Sequence, residues 1–198
     1  MVTPIFDTRA SGRIGQTRAP ATSDECLRYR LDVVAATAVD VVQSAGGWLY
    51  DRMMAGWEVT VLLPDGFDTR PLRILGLRTS GLRAELAPEF ASVGSGATSQ
   101  SLAVSAEAFS ADSRVRDRLL NALDRPLTEV ALWGDGWPLR INREMTRVQH
   151  VLSSGARVFK GYALAAAGIS CDTVDPTETL LSDLSACLPV DSELIRLG

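Results

Sequence analysis

Lysine and histidine are almost absent from this chain of 198 residues, which carries only Lys160 and His150 of these two types. A nucleophile activated by histidine would have to use His150, and a zinc site built from cysteine and histidine needs close ligand pairs that the sequence lacks. The chain also lacks a strong excess of one charge. Its net charge of −4 argues against a protein that coats DNA. We therefore expect no metal site, no cofactor and no catalytic residue that the sequence identifies.

Long apolar runs and a cysteine framework are missing as well. No run approaches the roughly 20 apolar residues of a membrane span, and residues 1–20 lack the apolar core of a secretory signal. The cysteines are odd in number and far apart, which argues against a disulfide framework; they are Cys26, Cys171 and Cys187. These features predict a cytoplasmic protein without a membrane partner. The predominance of arginine over lysine indicates a source with a GC-rich genome.

Composition divides the chain into three segments. Residues 1–23 are rich in Thr, Arg, Gly, Ser and Pro without periodicity, which predicts a mobile N-terminal arm. Residues 24–171 alternate helical patterns with short buried strands and form the predicted domain. Residues 172–198 carry six acidic side chains against one arginine and form a predicted acidic tail.

Within the central segment, buried strands and amphipathic helices follow one another. The predicted strands cover residues 31–36, 57–63, 102–104 and 129–133. The predicted helices cover about 39–55, where two glycines weaken the pattern, 113–123 behind an Asp112 cap, and about 146–167. This order predicts a three-layer α/β domain with a mainly parallel sheet.

The turn after the first strand lacks the residues of a phosphate-binding loop. Such a loop needs glycines that expose backbone N–H groups, followed by a lysine and a hydroxyl. Residues 36–40 contain no glycine and no lysine, and the Asp40 carboxylate would repel phosphate. No dinucleotide fingerprint occurs either. The sequence therefore predicts a degenerate nucleotide site and argues against ATP hydrolysis at this loop.

A few side chains with reactive chemistry have simpler structural explanations. Asp65 with Asp68 suggests a carboxylate pair at the end of a strand, and Asp135 lies in a Gly-Asp-Gly turn, but aspartate is common in turns. His150 is expected on a helix, exposed or packed. Lys160 is expected to be a solvated helix lysine.

Two groups of residues are candidates for binding surfaces. Four arginines within fourteen residues suit DNA phosphates or an acidic partner, with a solvated loop as the alternative; they are Arg70, Arg73, Arg78 and Arg83. In the tail, four leucines recur at helical spacing among acidic residues and Leu194-Ile195 follow, and such an amphipathic segment docks on its own domain or binds another protein. These residues are Leu180, Leu181, Leu184, Leu188, Leu194 and Ile195.

The order of elements resembles the core of a RecA-type recombinase over roughly residues 30–168. The similar features are a strand, a helix ending in Met-Met-Ala-Gly at Gly56, the strand that begins at Trp57, and a Leu-Gly helix end within residues 70–77. The helix at 115–123, the strand at 129–133 and the segment 150–160 complete the order. The family's phosphate loop is missing, so the chain resembles degenerate RecA-like proteins of the DNA-damage response. These are the ImuA-type accessory factors of mutagenic translesion synthesis and the SulA-type division inhibitors.

The resemblance implies a non-catalytic, ImuA-like accessory factor of the SOS response, of actinobacterial type, that binds other proteins during DNA repair. Its implied partners are an ImuB-like inactive polymerase homologue and an error-prone polymerase subunit, with weak DNA contact. Two alternatives stay open. One is a Rossmann-like enzyme that binds a small molecule or nucleotide at the strand ends near Asp65 and Asp135. The other is a SulA-like cell-division inhibitor.

Overall fold

The computed structural model describes residues 29–85, 100–126, 128–138, 145–170, 172–183 and 194–196. The strands are β1 (Arg30–Val34), β2 (Glu58–Leu63), β3 (Arg78–Gly81), β4 (Gln100–Ser105), β5 (Glu129–Trp133), β6 (Thr146–Val151), β7 (Thr177–Ser182) and β8 (Leu194–Arg196). The helices are α1 (Ala38–Met54), α2 (Arg70–Ile74), α3 (Leu82–Glu85), α4 (Ala106–Ala111), α5 (Ser113–Leu123) and α6 (Ser154–Ala166).

The described strands form one sheet in the order β3-β2-β1-β4-β5-β7-β6-β8. Strands β1 to β5 pair in parallel, whereas β7 runs antiparallel between β5 and β6, and β8 runs antiparallel to β6. The apolar side chains of α1, α2 and α6 cover one face of the sheet. Those of α3, α4 and α5 cover the other face. The predicted three-layer α/β architecture with a mostly parallel sheet is therefore confirmed.

Several predicted elements occur close to their predicted bounds. Strands β1, β2 and β5 and helices α1 and α5 all match strongly apolar or periodic stretches of sequence. The Asp112 carboxylate accepts a hydrogen bond of 2.9 Å from the backbone N–H of Arg114, as expected of an N-terminal cap. Gly56 has a φ of +93°, which lets the chain reverse directly after α1. Local sequence patterns thus determine these elements.

The predicted helix over residues 146–167 is wrong in its first part, which is strand β6. Val148 and His150 are buried and Arg147 and Val151 are exposed, so burial alternates with a period of two. Helix α6 begins only after Ser153, whose hydroxyl caps it by accepting a 3.0 Å hydrogen bond from the N–H of Ala156. The apolar residues on both sides of Ser153 suggested one continuous helix.

The near-helical spacing of the tail leucines also misled the secondary-structure prediction. Leu180 and Leu181 lie in strand β7, where Leu180 is 1% exposed in one core and Leu181 packs against the other. Leu194 and Ile195 belong to strand β8, which pairs with β6. Leu184 and Leu188 lie outside the described residues. A partner-binding role for these six residues stays an untested prediction.

Helix α1 packs very closely against neighbouring side chains at its two glycines. A Cβ atom on Gly47 would lie 2.5 Å from Cδ2 of Leu152, so a larger residue would collide there. Gly46 is less crowded, since the nearest atom to its Cβ position is Cδ1 of Leu75 at 3.2 Å. The glycine pair, which weakened the helix prediction, therefore permits close packing of α1.

Some predictions concern residues that the structure does not describe or features that it does not test. The N-terminal arm, residues 1–23, and all three cysteines lie outside the described residues. Within the part of the chain that is described, no helix combines the length and the apolar character needed to cross a bilayer. The division of the chain at residues 23 and 171 stays a prediction.

Candidate functional site at the carboxyl edge of the sheet

The parallel strands bring the starts of two helices together at the carboxyl edge of the sheet. From β1 the chain continues through α1 to β2 on one side, while β4 lies on the other side of β1. The connections therefore diverge between β1 and β4, and such a divergence creates a crevice in open α/β sheets. Thr37 and α1 follow β1, and α4 follows β4.

Asp40 is the charged residue fixed at this crevice. It is half-buried in the first turn of α1, and both its carboxylate oxygens accept hydrogen bonds of 3.1 Å from Nε1 of Trp133 at the end of β5. Oδ1 also accepts a hydrogen bond of 3.1 Å from the hydroxyl of Ser44, one helical turn away. Two elements of the fold, α1 and β5, therefore hold one carboxylate in place while part of it stays accessible.

The surroundings of Asp40 suit a negative charge and a polar ligand. The hydroxyl of Thr37 caps α1 by accepting a 3.1 Å hydrogen bond from the N–H of Asp40. The N–H groups of Ala38 and Val39 have no acceptor inside the helix, because the first turn lacks preceding carbonyls. Together with the helix dipole they make this end of α1 electropositive. At the same edge of the sheet, the Ser105 hydroxyl caps α4 by accepting a hydrogen bond of 3.1 Å from the N–H of Ala108.

The only histidine, His150, lies away from this crevice. It is 3% exposed on β6, and its Nε2 lies 2.9 Å from Oδ2 of Asp51 on α1. The same oxygen accepts a hydrogen bond of 3.1 Å from the backbone N–H of Ser153. His150 is therefore packed, as one of the two expectations held, but in a strand rather than a helix. The contact ties β6 and the start of α6 to α1.

Lys160 is not the solvated lysine that the sequence suggested. It is 4% exposed, and its Nζ lies 2.5 Å from Oε1 of Glu178 on β7 and 2.7 Å from the carbonyl oxygen of Gln43 on α1. The Glu178 carboxylate accepts further hydrogen bonds from the N–H groups of Gly47 and Trp48, at 2.9 and 2.7 Å. Burial raises the pKa of Glu178, and Lys160 opposes that rise. This buried pair joins α1, α6 and β7.

The other carboxylates that the sequence suggested, those of Asp65, Asp68 and Asp135, are exposed and do not form one site. Asp68 pairs with Arg70 at 2.6 Å, and hydrogen bonding from Arg70 lowers the pKa of Asp68. Asp65 lines a cavity at the ends of β2 and β3. Asp135 lies in the turn after β5. Asp65 and Asp68 therefore do not form the suggested carboxylate pair, because Asp65 lines a cavity and Asp68 forms an ion pair with Arg70.

The four arginines are all exposed but are distributed around the edge strand β3. Arg70 and Arg73 lie on α2, whose apolar residues face one side of the sheet, while Arg83 lies on α3, which packs on the other side. Arg78 on β3 pairs with Glu58. Two of the four charges are thus balanced locally by acidic side chains. A nucleic-acid contact by these arginines stays an untested prediction.

Sequence reasoning used Asp40 only as an argument against phosphate and did not recognise its position. The signal was present: a carboxylate in the first helical turn after a buried strand lies at the carboxyl edge of a parallel sheet. Trp133 ends a predicted strand. That it donates a hydrogen bond to Asp40 depends on the order of strands, which the sequence did not show.

Comparisons with known proteins identify the fold. No family model and no curated protein matches the chain. Among solved structures, the complex of a deacetylase with teicoplanin superposes with a TM-score of 0.53 at 12% identity, over 85% of this chain and 99% of that chain. The zinc-inhibited form of teicoplanin deacetylase Orf2 gives 0.53 at 11% identity with the same coverage. A triple mutant of a deacetylase from the teicoplanin pathway gives 0.51 at 13%. At such identities the likeness concerns the fold.

These comparisons overturn the resemblance drawn from element order. The structures similar to this chain are deacetylases, not RecA-type, ImuA-type or SulA-type proteins. The non-catalytic role in DNA-damage tolerance is therefore wrong, and so are the Rossmann-like small-molecule or nucleotide-binding enzyme and the division inhibitor. The expectation of a protein without catalytic activity fails with it, because the proteins that share the fold are enzymes. The polymerase partners stay an untested prediction. Element order misled because it omitted β6 and did not determine that β7 inserts antiparallel between β5 and β6.

The zinc named for one of these enzymes has no matching ligand set in the described part of this chain. A catalytic zinc needs three protein ligands, commonly with histidine among them. Across residues 29–85 and the other described ranges, no group of three or more His, Cys, Asp or Glu side chains is placed to hold a metal ion. His150, the sole histidine, is buried against Asp51. The described residues do not fit a zinc centre, and no chemical step is assigned to one.

Proposed function

We propose that this chain is a hydrolase that cleaves an N-acyl group from a small substrate bound at the carboxyl edge of the sheet, with Asp40 as the base. The observation that carries the proposal is the placement of Asp40: an accessible carboxylate at the crevice beside β1, held by Trp133 and Ser44. The likeness of the fold to teicoplanin deacetylases supports hydrolysis of an amide as the reaction class.

The chemistry requires one base, one water molecule and a stabilised oxyanion. The Asp40 carboxylate accepts a proton as the water oxygen bonds to the acyl carbon, and the acyl C–N bond then breaks. The amine leaves with a proton returned from Asp40, and the acyl group leaves as a carboxylic acid. The N–H groups of Ala38 and Val39, at the electropositive end of α1, suit the negative charge that develops on the acyl oxygen.

The test is release of a carboxylic acid from N-acyl substrates by the purified full chain. N-acetyl amino sugars and teicoplanin are incubated with the protein, with and without added Zn²⁺ or a chelator, and free amine and acetate are measured. Because a positioned base contributes about 10²–10⁴-fold, we expect Asp40→Asn to lower kcat by about 100-fold or more. Asp124→Asn is the matched control, because Asp124 is an exposed aspartate that follows α5, next to the start of β5 and away from the crevice.

Two results would contradict this proposal. One is the absence of any acid release above that of heat-denatured protein across the panel. The other is release that Asp40→Asn leaves at the wild-type rate. Thermal unfolding of both variants must match that of the parent, so that a loss of activity reports on chemistry rather than on folding.

A further inference from the structure

A separate cavity lies at the carboxyl ends of β2 and β3, on the other side of β1 from β4 and β5. Its volume is about 180 Å³, and its walls include Asp65, Phe67, Thr69, Thr79, Ser80 and Gly81. Pockets that hold drug-sized ligands measure about 300–1,000 Å³. This cavity therefore suits a small head group rather than a whole cofactor or nucleotide.

The charge in this cavity comes from a carboxylate without a counter-ion. Asp65 is exposed and has no hydrogen-bond or ion-pair partner among the described residues. Its neighbour Asp68, by contrast, is neutralised by Arg70 at 2.6 Å. Among the described residues, none that lines the cavity is basic. An anionic ligand is therefore disfavoured and a cation is favoured.

Two further features favour an organic cation over a metal ion or a neutral ligand. Phe67 lines the same cavity and is 45% exposed, and the face of an aromatic ring attracts a positively charged nitrogen. No group of three or more metal-ligating side chains occurs here or elsewhere in the described residues. A single carboxylate with an aromatic ring suits an ammonium group, which needs few ligands.

The backbone is arranged so that the carboxylate can occupy this position. Asp65 lies in the turn after β2, which reverses at Gly66 with a φ of +93°. A Cβ atom on Gly81 would lie 3.0 Å from Oδ1 of Asp65, so a side chain there would displace the carboxylate. Glycine at position 81 thus leaves room for Asp65 at the rim of the cavity.

We propose that the cavity at the ends of β2 and β3 binds a small organic ammonium group through the Asp65 carboxylate and the Phe67 ring. The proposal does not depend on the hydrolysis at Asp40, and a binding experiment tests it alone. It assigns this edge of the sheet a second ligand site, two strands away from β4.

The experiment compares choline with 3,3-dimethyl-1-butanol, which has the same shape without the charge. Both are titrated into the ¹⁵N-labelled full chain while the amide signals of Gly66 and Gly81 are followed by NMR. We expect choline, but not the neutral alcohol, to shift these signals in a saturable way. Asp65→Asn keeps the shape of the side chain and should weaken choline binding about tenfold or more. Phe67→Leu should weaken it about two- to fivefold.

Asp68→Asn is the matched control, since Asp68 lies three residues away but does not line the cavity. It should bind choline like the wild type. Gly81→Ala provides a second route, because its methyl group would crowd Oδ1 of Asp65 at 3.0 Å while leaving Asp65 in the sequence, so it should weaken binding less than Asp65→Asn does. The proposal is overturned if choline causes no saturable shift, if the neutral alcohol binds equally well, or if Asp65→Asn binds choline like the wild type.

Discussion

The carboxylates of Asp40, on helix α1, and of Glu178, which contacts this helix from β7, differ in how much water can reach them. Asp40 lies half-buried in the first turn, where it accepts hydrogen bonds from Trp133 and Ser44. Glu178 is 4% exposed beside the middle of the helix, where it accepts from two backbone N–H groups and from Lys160. Part of the Asp40 carboxylate is accessible to solvent, whereas the Glu178 carboxylate is enclosed by the protein. The same chemical group thus occurs in two different environments beside one helix.

The largest effect should come from removing one donor from each carboxylate. Lys160→Met keeps a long side chain but leaves Glu178 buried without its cation, and breaking a buried pair in this way costs about 3–5 kcal/mol. Trp133→Phe removes the donor to Asp40, but water can replace it because Asp40 is half-buried, so we expect a loss of about 1–2 kcal/mol. Denaturant unfolding of both variants measures the two free energies. Equal losses would show that the two carboxylates do not differ as described.

The buried pair also shows why part of the fold could not be predicted from sequence. Lys160 and Glu178 lie 18 residues apart on different elements, and Glu178 lies 131 residues from Gly47. No local pattern marks such partners. The signal that did exist was the pair Gly46-Gly47 inside an otherwise good helix, which indicates close approach of another element.

Strands β1, β2 and β5 were predictable because each is a short, nearly continuous apolar run, as expected of a strand covered on both faces. Strand β6 was not, because its buried positions include His150, and a polar residue conceals the alternation. Strand β7 has a similar problem at Glu178. At the candidate site, the position of Asp40 after a buried strand could be inferred from the sequence. Its contact with Trp133 could not, because that contact depends on the order of the strands in the sheet. Local sequence patterns thus fail to predict strands in which a polar residue is buried against a distant partner.

An intermediate effect should follow from filling the space that brings α1 close to its neighbours. The Cβ of Gly47→Ala would lie 2.5 Å from Cδ2 of Leu152, and overpacking of this kind costs about 1–3 kcal/mol. It would also disturb the N–H group that Glu178 contacts. Gly46→Ala is the control, since its nearest contact is 3.2 Å and alanine favours a helix over glycine by about 0.5–1 kcal/mol. We expect Gly46→Ala to lie within about 1 kcal/mol of the wild type by denaturant unfolding.

Leu152→Val distinguishes a collision from a general intolerance of α1 to substitution. It shortens the side chain that meets the new methyl group, so the double variant with Gly47→Ala should be more stable than the sum of the single losses predicts. Additive losses, or equal costs at positions 46 and 47, would contradict the close packing described for this helix.

The smallest expected effect, per pH unit, is the pH dependence of stability that Glu178 contributes. Burial raises the pKa of Glu178 above the usual 4.5, with Lys160 acting in the opposite direction. The folded chain therefore holds this proton at pH values where the unfolded chain has released it. The stability that the protonated group contributes is complete below the unfolded value and is lost as pH rises through the folded pKa.

Glu178→Gln cannot titrate, so it isolates this contribution. We expect the free energy of unfolding of the wild type, minus that of Glu178→Gln, to fall as pH rises above about 4.5, with a slope no steeper than about 1.4 kcal/mol per pH unit. A difference for Glu178→Gln that rises with pH would mean that Lys160 and the helix N–H groups outweigh burial. The buried carboxylate would then be a stabilised anion, and its contrast with Asp40 would be one of access to water alone.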